Sequence, residues 1–127
     1  MLKMVATAYV IAALVGIALV VISLRFFLVP EAAAKAFGVP GSASGVDAGA
    51  YFSVKAVRDL GTALAIFVLI AVADAHTLGW VFVVMSIIPA GDALIVARRG
   101  GHPGLWLGVH GATALVSVAA GVLLLLA

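Results

Sequence analysis

The sequence predicts an all-α integral membrane protein, a bundle of four transmembrane helices with a short interfacial helix between the first two spans. Composition supports this prediction, because 66% of the 127 residues are hydrophobic, only 9% are charged and the mean hydropathy is +1.36. A soluble domain is about half apolar and about a quarter charged. So few charged side chains cannot form a water-facing surface of this size, and we expect a lipid bilayer to surround the chain.

Four hydrophobic stretches give the expected spans within a single domain, residues 1–127. A helix of about 20 apolar residues crosses a hydrocarbon core about 30 Å thick. The first stretch is longer than the hydrophobic part of a secretion signal, so we expect it to remain in the mature protein. The four expected spans lie at about residues 4–29, 48–73, 79–97 and 105–127.

The connections between these spans differ in length. In the first, residues 31–37 (EAAAKAF) follow Pro30 and predict the interfacial helix, since proline is favoured in the first turn of a helix. Residues 38–42 (GVPGS) then predict a loop. The other two connections, residues 74–78 and 98–104, are predicted to be tight turns.

Basic residues predict the orientation of the bundle. Arg25, Lys35, Arg98 and Arg99 border one side, whereas Lys3 is alone on the side that holds both termini. Basic connections are retained in the cytoplasm. We therefore expect a multi-pass protein of the plasma membrane with extracytoplasmic termini.

Several function classes are excluded by what the sequence lacks. It has no cysteine, which excludes disulfides, thiolate metal sites and thiol catalysis. It has no basic stripe with interleaved aromatic residues, so we expect no nucleic-acid binding. Phosphate-binding, serine-hydrolase and zinc-protease motifs are also missing, and we expect neither a metal nor another cofactor.

Charged residues inside the spans are the most informative feature. The second span contains Lys55, Arg58 and Asp59, the third contains Asp92, and the fourth contains His110. A charge at the centre of a membrane helix costs about 2.5 to 3.5 kcal/mol on insertion scales. Residues three and four apart share a helix face, so the charges of the second span are predicted to project together.

Depth predicts that these groups meet in one layer. At 1.5 Å per residue, Arg58, Asp92 and His110 lie about 9 to 15 Å from the same boundary. The candidate catalytic residues are therefore Asp92, His110, Asp59 and Arg58. Pro89, just before Asp92, is expected to bend the third helix around a cavity. An alternative remains open, in which Arg58 and its acidic partners only fix the register of the helices.

Four further residues are candidates for ligand binding: Lys55, Tyr51, Glu31 and Trp106. Tyr51 is expected near the rim of the polar layer, and Glu31 on the interfacial helix is expected to cover it. Two alternatives remain open. Lys55 can extend to the lipid headgroups, and Trp106 can serve only as an interfacial anchor.

Small residues recur at four-residue spacing on three spans, which allows helix backbones to approach closely. Two interpretations remain open, packing inside the bundle and a homodimer interface. The three rows are Ala8, Ala12 and Gly16; Gly61 and Ala65; and Gly104, Gly108 and Ala112.

Four short motifs in order resemble a known family. They are Pro30 with Phe37-Gly38-x-Pro40, then KAVRDLG at 55–61, IPAGDAL at 88–94 and HGA at 110–112. The chain resembles the small bacterial and fungal membrane proteins grouped as domain of unknown function 4267, within the wider DoxX-like set of four-helix membrane proteins. Ala56 stands where the family usually has glycine. The resemblance implies the architecture and marks Arg58, Asp59, Asp92 and His110 as family-like positions, but it implies no activity.

Three functions are compatible with this sequence. The first is binding of a hydrophobic small molecule, with acid–base conversion such as isomerisation, cyclisation or epoxide opening by an aspartate and a histidine. The second is a small proton-coupled transporter, since intramembrane carboxylates and histidines also relay protons. The third is an accessory subunit whose charged layer stabilises packing.

Overall fold

The computed structural model describes residues 1–41 and 48–127, and all secondary structure within these two ranges is helical. The last residue of the predicted loop, Ser42, lies outside them. The helices are α1 (Leu2–Leu28), α2 (Pro30–Phe37), α3 (Ala48–Val72), α4 (Ala75–Met85), α5 (Ile87–Arg98), α6 (Pro103–Leu105), a π-helix (Trp106–Gly111) and α7 (Ala112–Leu125).

Three helical stretches are long and apolar enough to cross a membrane, which supports an all-α membrane protein. They are Leu2–Leu28, Ala75–Arg98 and Pro103–Leu125. Helix α3 has 25 residues, but each of its 18-residue windows contains Lys55, Arg58 and Asp59. Length and composition therefore identify three spans and leave α3 undecided.

The stretch Ala75–Arg98 is divided at Ser86, which separates α4 from α5. Pro89 lies three residues later and has no backbone N–H, so the carbonyl of Met85 lacks its helical donor. The Ser86 hydroxyl turns back and donates to the Val83 carbonyl at 2.6 Å. The break thus lies one turn before the proline that predicted it.

The same stretch begins at Ala75, four residues before the expected start at Gly79. Asp74 caps the helix, because its Oδ1 accepts from the Thr77 backbone N–H at 2.9 Å and its Oδ2 accepts from the Thr77 hydroxyl at 2.7 Å. These hydrogen bonds, that from the backbone N–H first, hold the pKa of Asp74 below its usual value. Residues predicted as a connection therefore form the first turn of α4.

The long helices do not all pack against one another, and α3 lies less close to α4 and α5 than to α1. Helix α1 packs along α3 and α7, α4 packs along α7, and α5 packs against the π-helix. Within the two described ranges, no extensive backbone packing joins α3 to α4 or α5. The main core lies among these helices and comprises Ala8, Ala12, Ile66, Leu78, Phe82, Ala120 and Leu124.

Small residues allow two of these contacts. Gly121 and Gly79 face each other across α4 and α7, and a Cβ at Gly121 would lie 2.8 Å from the Gly79 carbonyl oxygen. On α1, Gly16 lies beneath the ring of Phe67. The rows that include Gly61 and Gly108 lie on exposed faces. Only the α1 row therefore packs inside the bundle.

Helix α2 covers one end of the bundle. Ala33 and Ala34 are buried with Phe26 and Ala56, whereas Glu31 and Lys35 on its other face are exposed. The helix ends at Gly38, which has a φ of 101°. A side chain there would be strained, because a Cβ would also lie 2.8 Å from Leu105 Cδ1.

Candidate functional site

A cavity of about 150 Å³ lies between α1, α3, the α4–α5 pair and α7. Its ionisable side chains are gathered at one end. They are those of Lys55, Asp59, Asp92 and His110. The rest of the lining is mainly apolar, with Val15, Ile66, Val81 and Phe82 among its members, and it includes three hydroxyl residues, Thr62, Thr113 and Ser117.

Lys55 and Asp59 form an ion pair on α3. Their Nζ and Oδ2 atoms are 2.8 Å apart, and the side chains are 30% and 14% exposed. The Lys55 ammonium also lies 5.2 Å from the ring centroid of Phe26 and 5.0 Å from that of Phe37, within range for cation–π attraction. Lys55 therefore turns towards Asp59 and two aromatic rings rather than extending to lipid headgroups.

His110 is held by a backbone carbonyl of another helix. Its Nε2 lies 2.7 Å from the Phe37 carbonyl oxygen, and the two rings are 4.6 Å apart between centroids. Phe37 is the last residue of α2, where carbonyl groups lack helical donors and are free to accept. A carbonyl oxygen only accepts, so Nε2 carries the hydrogen and donates it.

Asp92 faces the other nitrogen of the same ring. The distance from Asp92 Oδ2 to His110 Nδ1 is 4.0 Å, which is too long for a hydrogen bond. In the part of the chain that the structure describes, the Asp92 carboxylate makes no hydrogen bond. The carboxylate and the ring nitrogen therefore face each other across a gap without a hydrogen bond between them.

The π-helix sets the direction of His110. Residues Trp106–Gly111 form one wide turn, and a Cβ at Gly111 would lie 3.2 Å from the Trp106 carbonyl oxygen. Such turns are rare and are often found at functional sites. His110, the fifth residue of this turn, is only 8% exposed.

Residues 16–124 match a family described as domain of unknown function (DUF4267). The chain belongs to this family. No curated protein and no solved structure matches it. The match confirms the resemblance seen in the four motifs, and it includes the cavity-lining residues from Leu19 to Ser117 while leaving out Val15.

The structure corrects one part of the polar layer predicted for this DUF4267 protein. Arg58 is exposed and does not line the cavity. Successive residues of an α-helix are about 100° apart, so Lys55 and Asp59 differ by only about 40°, and Arg58 lies about 80° from the direction between them. A shared face at spacing three and four was too broad a criterion.

The other predicted binding residues lie away from the cavity, except Lys55. Tyr51 is 74% exposed. Glu31 borders a separate surface recess near Gly38 and Gly101. Trp106 is half-buried at the start of the π-helix and does not line the cavity. Their proposed roles in this DUF4267 protein therefore have no support from position.

Sequence reasoning missed two contributors to the site, the Phe37 carbonyl and the π-helix. A backbone acceptor has no side-chain signature, although the Phe37-Gly38 helix end indicates where free carbonyls occur. Among the described residues, no three His, Cys, Asp or Glu side chains form a group that could hold a metal ion. The DUF4267 site thus offers an ion pair, an oriented imidazole and a carboxylate beside an apolar space.

Proposed function

We propose that this protein is a multi-pass membrane protein that binds a small, largely apolar molecule bearing one polar group. The observation that supports this function is the division of the cavity. Lys55, Asp59, Asp92 and His110 lie at one end, and mainly apolar side chains line the rest. Ligand sites in proteins are typically apolar with a few convergent polar groups.

The cavity volume supports a ligand with a body of about one ring. A cavity of about 150 Å³ in a soluble protein stays dry and binds benzene. The cavity of this protein has about the same volume, 150 Å³. A ring would lie against Ile66 and Phe82, with its polar group towards Asp92 and His110.

The proposal includes α3 as a fourth span. Its 25 residues extend about 37 Å, enough to cross a hydrocarbon core of about 30 Å. Two of its three charges are neutralised in the Lys55–Asp59 pair, which lowers the penalty of placing them in lipid. The exposed Glu31 and Lys35 of α2 favour an interfacial position for that helix. The basic residues favour extracytoplasmic termini in the plasma membrane.

Conversion of the ligand is a second candidate, supported by the orientation of His110. Its Nε2 is fixed by the Phe37 carbonyl, and its Nδ1 faces the cavity wall beside Asp92. A base held by a second group is the arrangement used in acid–base catalysis. Turnover would require Asp92 and His110, whereas binding of an apolar body would not.

Binding can be tested with fluorobenzene as the probe and the full chain in lipid nanodiscs. Saturable ¹⁹F NMR exchange broadening is expected, beyond that seen with empty nanodiscs. Thr62→Phe, which fills the cavity from α3, should abolish it. Leu64→Phe is the matched control, because Leu64 is 54% exposed and does not line the cavity. Equal broadening with folded Thr62→Phe and wild-type protein would refute the proposed function.

A further inference from the structure

We infer that the polar end of the cavity recognises a hydroxyl group, so the ligand is a small alcohol or phenol rather than a ketone. This inference rests on the proposed function and names the head group of its ligand. It follows from the hydrogen-bonding roles of His110, Asp92 and Lys55.

The first step is the tautomer of His110. Nε2 donates to the Phe37 carbonyl oxygen at 2.7 Å, so when the ring is neutral its single hydrogen is on Nε2. Nδ1 then has a lone pair and no hydrogen. It can only accept a hydrogen bond.

The second step is the group opposite that lone pair. Asp92 Oδ2 lies 4.0 Å from Nδ1, and an ionised carboxylate also only accepts. Two acceptors cannot hydrogen-bond to each other. An acceptor-only group such as a ketone oxygen would add a third acceptor to the gap between them. A group that carries its own hydrogen reduces this conflict by donating to one of the two acceptors.

The third step is the group that can donate to the hydroxyl oxygen. The ammonium of Lys55 lines the same cavity. Among the described residues, one hydrogen bond of that ammonium is taken by a side chain, at 2.8 Å to Asp59. A hydroxyl oxygen can accept from Lys55 while its hydrogen is donated to one of the two acceptors.

The size of the expected preference follows from the unpaired acceptors. Sites built to bond a polar group reject analogues that lack its hydrogen, because buried acceptors are left unsatisfied. We expect cyclohexanol to bind at least about tenfold more tightly than cyclohexanone, which has the same ring and an acceptor-only head.

The experiment measures competition of cyclohexanol and cyclohexanone with fluorobenzene on the full chain in nanodiscs, together with ¹⁵N NMR of histidine-labelled protein. The spectrum should show the His110 ring with its hydrogen on Nε2, assigned by the signals that disappear in His110→Gln. That variant also tests the preference between alcohol and ketone. The glutamine amide nitrogen can still donate to the Phe37 carbonyl but has no acceptor in place of Nδ1. Its cyclohexanol preference should fall to less than about threefold while fluorobenzene still binds.

Asp92→Asn is a second test that does not alter the histidine. Its amide N–H faces Nδ1 as a donor, so the preference for cyclohexanol should again fall while fluorobenzene binding remains. Equal affinities for alcohol and ketone, or a His110 hydrogen on Nδ1, would each overturn the hydroxyl assignment. Absence of fluorobenzene binding to the wild-type protein would instead refute the proposed function.

Discussion

Gly121→Ala is predicted to weaken the contact between α4 and α7. In the structure, a Cβ at position 121 would lie 2.8 Å from the Gly79 carbonyl oxygen and 3.0 Å from the Val83 backbone nitrogen. Both are backbone atoms, so the neighbouring helix cannot relieve the overlap by rotating a side chain. The two helices must move apart along their contact.

The overlap determines the expected magnitude. Ordinary contacts begin at 3.4 Å, so α4 and α7 must separate by about 0.6 Å near Gly79. Overpacking of this kind costs about 1 to 3 kcal/mol. Alanine regains up to about 1 kcal/mol of helix propensity relative to glycine. The net loss in the free energy of unfolding relative to wild type is therefore about 0 to 2 kcal/mol, and the loss relative to a glycine-to-alanine change without overlap is about 1 to 3 kcal/mol.

The assay is SDS-induced unfolding in mixed micelles, followed by circular dichroism. Gly61→Ala is the matched control, because a Cβ at Gly61 would meet nothing within 4 Å. We expect it to be neutral or slightly stabilising. If Gly121→Ala unfolds at the same SDS fraction as Gly61→Ala, the close α4–α7 contact is wrong.

Three further predictions concern the ion pair, the end of α2 and the cap of α4. Asp59→Asn should lower the free energy of unfolding by about 1 to 3 kcal/mol, because it leaves the Lys55 ammonium without its ion-pair partner. The double variant with Lys55→Met should recover most of that loss in the same SDS titration, and no recovery would contradict the pairing. Gly38→Ala should destabilise the protein by about 1 to 3 kcal/mol, because of the positive φ at this position and the close approach of Leu105. It should also shift the ¹⁵N signals of the His110 ring. Unchanged stability and signals would contradict the described end of α2. Asp74→Ala should destabilise the protein at neutral pH. Because the pKa of Asp74 is lowered in the folded protein, its stabilisation is present above the ordinary carboxyl pKa and is lost as the pH falls through the folded pKa. The difference in stability between wild type and variant should therefore shrink in acid, and a pH-independent difference would refute the capping role of Asp74.

The architecture could be predicted from the sequence because hydropathy and charge dominate membrane folding. The long apolar runs identified the helices at Leu2–Leu28, Ala75–Arg98 and Pro103–Leu125 to within a few residues. Unpaired charges are costly in lipid, which also drew attention to Asp59, Asp92 and His110. The structure places these three residues on one cavity.

The finer geometry could not be predicted because it depends on helix winding and backbone groups. The direction of Arg58 is decided by a rotation of about 80°, which a rule of spacing three or four does not resolve. The π-helix has no sequence signature of its own. The group that Phe37 contributes is a backbone carbonyl, which every residue type has. Ser86 marks the division of the third hydrophobic stretch only once its Oγ is seen on the Val83 carbonyl.

The wide turn at Trp106–Gly111 has a consequence for how chain length affects this site. Removing one residue between Pro103 and His110 would let the segment wind as an ordinary α-helix, whose turn holds about one residue fewer, so the helix on either side would keep its direction. The imidazole lies inside the wide turn and would then point elsewhere. Relatives that share the histidine but have one residue fewer in this interval would present it differently to the cavity, so counting residues there matters as much as matching them.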